Sequence, residues 1–233
     1  ETPTTLRVKL SSTAGAQARI MRCLIVALVA FFATVICDDS ITKEMFLQKM
    51  NESQPYWTMV GSYEEAIGGR KKVCISTKRI QQTENSDNEA VIFHQSYKLK
   101  GCEWFPFGHE ASYRVTFTDP HGSATQLEIH MKPVREGWGT ARNYSLVYWN
   151  PSEECFVLKF SDSEGKPQCE LLAWDLKAEK NATFPMCQQN YQAMCPAAPK
   201  HALFNEYCKI THAQMMENMS TLPVERCMQN SHS

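Results

Sequence analysis

The chain has 233 residues, of which 43% are hydrophobic, 10% aromatic and 21% charged, a globular composition able to bury a core. Its 24 Lys+Arg almost balance 25 Asp+Glu, so no excess of positive charge argues for nucleic acid or another polyanion as partner. Ten cysteines are many for a reducing compartment and ordinary for an oxidising one, which sets a cytosolic enzyme aside.

Residues 1–20 contain no methionine and are expected to be a non-native leader outside the mature product. Met21-Arg22 then opens an apolar stretch of 14 residues, Cys23 to Ile36, which ends abruptly at Asp38-Asp39. A basic start and an apolar stretch shorter than the roughly 20 residues of a spanning helix read as a secretory signal over 21–37, with Val35 and Cys37 at the −3 and −1 cleavage positions. The expected mature segment, 38–233, carries 20 basic and 24 acidic residues, a formal charge of −4. It keeps eight cysteines, Cys74, Cys102, Cys155, Cys169, Cys187, Cys195, Cys208 and Cys227, and an even number in a secreted chain reads as four disulfides. None of them has zinc-ligand spacing, and no metal is expected. Asn51, Asn143, Asn181 and Asn218 each begin an Asn-x-Ser/Thr sequon and are candidate glycosylation sites, although Asn143 falls within an expected strand.

Along the mature segment, residues 40–52 carry Ile41, Met45, Phe46 and Met50 at helical spacing, with Ser40 or Thr42 available as a cap. Beyond Pro55 the pattern changes to short β-type runs: 56–63, 72–80, 90–100, 112–118, 124–132, 142–149, 154–161 and 167–176. Polar connectors separate them, among them GGRK, TENSDN, DPHGS, REGWGT, NPSE and SDSEGKP. Tyr113, Val115 and Phe117 share one face, as do Leu127, Ile129 and Met131. From about residue 178 the chain reads as a helix followed by an irregular tail held by cysteines. Eight regularly spaced strands suggest a sandwich or a closed barrel. The order helix, eight up-and-down strands, helix is that of a lipocalin: an all-β, single-domain antiparallel barrel over 38–233 with a C-terminal helix, its interior large enough for one small ligand.

The segment from Cys155 to Cys187 resembles the tick salivary lipocalins, the group of the tick histamine-binding proteins. Their signature is a Cys-Asp-aliphatic triplet, a Glu-Leu-aromatic triplet and a closing Cys. Here Cys155 and Val157 are followed after 12 residues by Glu170-Leu171, and Cys187 follows Leu172 after 14. Trp57 and the Asn205-Glu206-Tyr207-Cys208 run are similar to that family as well. Two positions depart from the signature: Phe156 stands in place of the aspartate and Leu172 in place of the aromatic. The resemblance implies the disulfides Cys155–Cys187 and Cys74–Cys208. The remaining four cysteines admit three pairings, of which Cys102–Cys227 with Cys169–Cys195 is favoured because Cys102 and Cys169 lie at the same end of an up-and-down barrel.

The resemblance further implies a secreted, monomeric salivary protein that sequesters a host mediator such as histamine or serotonin. A buried amine needs a carboxylate, and Glu170 is the acid left by the motif, with Phe156 beside it. Tyr97, Phe93 and Trp174 are candidate aromatic walls, able to attract a cation through their faces. Trp57, at the entrance to the first strand, is a candidate for plugging the barrel base or touching the ligand. The loss of the aspartate also fits an apolar acid such as a leukotriene or fatty acid, its carboxylate held by Arg142, and a third reading has the surface bind a host complement or clotting protein. Hydrolase, metalloprotease and nucleotide-binding signatures are missing, the histidines are scattered, and neither an enzyme, a cofactor nor a membrane partner is expected.

Overall fold

The computed structural model describes residues 23–25, 35–37, 41–53, 55–80, 91–105, 108–119, 126–196, 199–221 and 227. The chain divides into two units, residues 1–39 and 40–233. In the first, Cys23–Ile25 pairs antiparallel with Val35–Cys37; the expected leader and most of the expected signal segment lie outside the described residues. No described helix is long and apolar enough to cross a membrane.

The second unit is a closed antiparallel barrel of eight strands: β1 (Tyr56–Gly61), β2 (Arg70–Ile80), β3 (Val91–Leu99), β4 (His109–Thr118), β5 (Glu128–Pro133), β6 (Arg142–Asn150), β7 (Cys155–Ser161) and β8 (Pro167–Trp174). Each strand pairs with the next, β8 pairs with β1, and β1 closes the ring on β2 through Tyr56↔Thr77 and Trp57↔Ser76. Closure removes the free edges a sandwich would leave. The observed spans fall on the eight expected runs; Arg70-Lys71 and His109–Ala111 are gained as strand, while Ser62-Tyr63, Gln126-Leu127 and Asp175-Leu176 are not part of it.

Helix α1 (Lys43–Ser53) closes one end of the barrel. Thr42 caps it, its hydroxyl accepting from the Met45 amide at 3.4 Å, and Asp119 accepts from the Lys43 amide at 2.7 Å, so the chain after β4 takes up another free donor of the first turn. Lys49 pairs with Glu154 at 2.8 Å and ties the helix to the β6–β7 turn. The helix lays Phe46 and Met50, both fully buried, into the barrel interior.

The C-terminal part forms two helices rather than one, α2 (Pro185–Met194) and α3 (His212–Thr221). With residues 199–208, α2 covers the outward faces of β1, β2, β7 and β8, where Met59, Ile75, Val157 and Leu171 pack with Phe184, Tyr191, Leu203 and Phe204. Coverage on both faces explains why CFVLKF and CELLAW are apolar without alternation. The four disulfides are Cys74–Cys208, Cys102–Cys227, Cys155–Cys187 and Cys169–Cys195, the pairs set out above. Cys74 sits in a bulge of β2 with φ +52°, which turns its side chain toward the tail.

Candidate functional site

Alternation on closed strands decides which side chains face the interior. On β8 these are Glu170, Leu172 and Trp174; on β7 Phe156, Leu158 and Phe160; on β6 Arg142, Tyr144 and Leu146. Toward α1 the interior is aromatic. Phe46, Tyr56, Trp149, Phe156 and Trp174 form one cluster, with Phe156 centred 5.7 Å from Phe46, 5.3 Å from Tyr56 and 5.3 Å from Trp174. Phe93 belongs to the same interior, 6.1 Å from Phe117.

The opposite end is polar. Glu170, 5% exposed, accepts hydrogen bonds from the hydroxyls of Tyr63 and, at 3.1 Å, Tyr144. Arg142 lies 3.6 Å from the same Glu170 oxygen, donates to the Tyr63 and Tyr144 hydroxyls at 2.8 and 3.1 Å, and forms an ion pair with Glu65. Its guanidinium stands 4.7 Å from the ring centres of both Tyr63 and Phe160. Glu65 also pairs with Lys72 at 2.9 Å, and Lys72 stands 4.5 Å over Tyr97, which stacks on His109. The result is a chain of alternating charges, Lys72, Glu65, Arg142 and Glu170, with two positive and two negative members.

Proton affinities follow from this packing. Burial, reinforced by the Glu170 charge, pushes the Tyr63 and Tyr144 phenols well above their ordinary value, so both remain donors. Burial works against the Arg142 charge, but the Tyr144 and Tyr63 oxygens and Glu170 outweigh it and hold the guanidinium protonated. Burial lowers Lys72, and burial together with the Lys72 charge lowers His109.

Of the residues singled out in the sequence, Glu170, Phe156, Phe93, Trp174 and Tyr97 face the interior, but not as one site. Phe156 is paired with Leu172, and Glu170 with Leu158, so they are diagonal neighbours. Phe156 and Trp174 belong to the aromatic packing and Glu170 to the polar end. Trp57 requires a correction: it faces outward, donates to Asp175 at 2.7 Å and packs edge-on against Phe204, because Tyr56 takes the inward position at the start of β1. It neither plugs the barrel nor lines its interior.

Tyr63, Glu65, Lys72, Tyr144 and Phe160 were not anticipated as site residues. Glu65 lies in the β1–β2 connection, where sequence gives no facing rule, and Tyr63, expected as the last residue of the first strand, lies there too because β1 ends at Gly61. Tyr144 was legible, since it alternates with Arg142 and Leu146. The candidate sequon residues Asn51, Asn143 and Asn181 are exposed, and Asn218 is partly so. The cluster of Glu153, Cys155 and Cys187 is not a metal centre: both cysteines are in a disulfide, and Glu153 accepts from the Met186 and Cys187 amides at the start of α2.

The family model described as tick histamine binding protein matches residues 41–210. Among solved structures, that of AM182 in complex with serotonin aligns at 12% identity with a TM-score of 0.47, covering 69% of this chain and 90% of that one. Japanin from Rhipicephalus appendiculatus, bound to cholesterol, aligns at 14% identity with a TM-score of 0.45, covering 65% and 93%. No curated protein sequence matches. The match runs from two residues before α1 to the segment that carries Cys208, taking in every barrel strand, and the chain belongs to the tick histamine-binding protein family.

Proposed function

We propose that this chain is a secreted, monomeric barrel that sequesters a small organic cation of the biogenic-amine class, such as histamine or serotonin, at its polar end, and so blunts a host defence signal. The observation that carries this reading is the cage around Arg142, in which two carboxylates and two aromatic faces surround one positive charge. Carboxylates with aromatic faces are the groups that hold an ammonium or imidazolium out of water. Glu65 supplies the second acid that the substitution at Phe156 takes from the family motif. Four disulfides and family membership support secretion.

A second reading rests on the two cations of the same cluster. An apolar acid, a leukotriene or fatty acid, would exchange its carboxylate for that of Glu65 on Arg142 and Lys72. Calorimetric titration of the secreted protein with histamine, serotonin and leukotriene B4 tests both. Heat with either amine and none with the leukotriene is the expected result. Binding of leukotriene B4 alone overturns the amine reading in favour of the second. Silence with all three overturns both and leaves a host protein as the partner of the barrel surface.

A further inference from the structure

We propose that Arg142 is a tethered occupant of the amine cage, so that a ligand enters by displacing the protein's own guanidinium. This rests on the reading of the polar end as a cation site. Every contact that would recognise a cationic ligand is already made to Arg142: the two carboxylates, the Tyr63 and Tyr144 hydroxyls and the faces of Tyr63 and Phe160. The charges of the cluster cancel, with Lys72 and Arg142 against Glu65 and Glu170, so an added ammonium would bring an uncompensated third positive charge into a largely buried site.

Only one of the two cations is placed to leave. Arg142 is the first residue of β6 and follows residues 134–141, where Gly137 and Gly139 have φ values of +77° and +152°. Gly139 presses close over the barrel end, where a Cβ would collide with the Tyr113 phenol. The Arg142 side chain is 14% exposed, against 8% for Lys72, which lies over Tyr97. Glu170, by contrast, is held on β8 by two tyrosines, and Glu65 keeps its pair with Lys72 when Arg142 leaves. Rotation of Arg142 toward solvent would open a space already lined for a cation. The measured affinity of the barrel is then its intrinsic affinity reduced by the fraction of time the cage is open.

The test compares wild type, Arg142→Ala and Arg142→Lys, titrated calorimetrically with methylguanidinium and with histamine, with circular dichroism to follow folding. Arg142→Ala should bind methylguanidinium, which wild type should not, and should bind histamine at least about tenfold more tightly, as expected if the cage is self-occupied nine-tenths of the time. Arg142→Lys, which keeps the charge and loses the forked geometry, should show a smaller gain of about threefold. If Arg142→Ala is unfolded alone, recovery of its folding by methylguanidinium supports the proposal, and failure to recover counts against it. A folded Arg142→Ala that ignores methylguanidinium, or a loss of histamine affinity in both variants, overturns it. Should methylguanidinium bind Arg142→Ala while histamine binds none of the three proteins, self-occupancy stands and the amine function falls. Equal histamine affinity in all three keeps the function and removes the inference.

Discussion

On β8, Trp174 and Glu170 point into the same barrel four residues apart, yet they are held by different physics. At the α1 end, Phe46 meets the rings of Tyr56, Phe117, Trp149, Phe156 and Trp174 at 5.7–6.3 Å, and the fit is one of shape. At the other end, Glu170 is nearly as buried, but its neighbours are Tyr63, Tyr144 and Arg142, and the fit is one of charge and hydrogen bonding. The aromatic end resists loss of volume and rejects charge; the polar end accepts a change of volume and depends on pairing.

The harshest way to break that contrast is Phe156→Asp, which restores the family acid in the wrong surroundings. Phe156 is 0% exposed and surrounded by the rings of Phe46, Tyr56, Trp149 and Trp174, so the carboxylate would cost on the order of 5 kcal/mol or more, comparable to the stability of a whole domain. Loss of the cooperative transition in urea is the expected result; a stably folded variant would show that the interior there admits charge. Phe46→Ala comes next and should lower unfolding free energy by about 3–5 kcal/mol while leaving histamine affinity unchanged, since it touches only the aromatic end.

Glu170→Gln reverses that signature. Unfolding free energy should fall by less than in Phe46→Ala, because Arg142 loses one of its two acids but keeps Glu65, while histamine affinity falls roughly 30- to 1000-fold, as about 2–4 kcal/mol of buried charge pairing is removed. The same change should preserve or improve binding of an anionic lipid, and an unchanged histamine affinity would refute the role given to this carboxylate. The mildest prediction concerns His109. Its folded-state value lies below the ordinary one of about 6.5, so stability is complete above that pH and declines as pH falls through the lowered value, where the unfolded chain binds the proton more readily. His109→Gln should flatten the decline of Tm below about pH 6.5, as followed by thermal scans at stepped pH.

The barrel was legible because most strands carry a two-residue period between polar turns, and because the Cys155 to Cys187 signature gave the fold a second, independent mark. The inward position of Glu170 was legible from that signature alone, since β8 carries no alternation. Trp57 was not, since β1 reads YWTMVG, apolar at nearly every place, and a strand covered on both faces carries no alternation to tell inside from outside. Glu65 was hidden for another reason. It follows Glu64 in a turn, and only the closed barrel directs Glu65 to Arg142 and Lys72 while Glu64 pairs with Lys71 and His201.

Each of the four cystines joins a residue of the barrel region to one in the C-terminal part: Cys74, Cys102, Cys155 and Cys169 are the early halves, and Cys208, Cys227, Cys187 and Cys195 the late ones. No native bridge links two early cysteines. During synthesis these four early thiols therefore emerge before any of their native partners, and any bond made among them must be undone. Cys155 is first to find its mate, 32 residues later, whereas Cys102 waits for 125. No bridge joins one barrel strand to another, so the sheet itself is held by hydrogen bonds and packing, and the cystines fasten the C-terminal part over it.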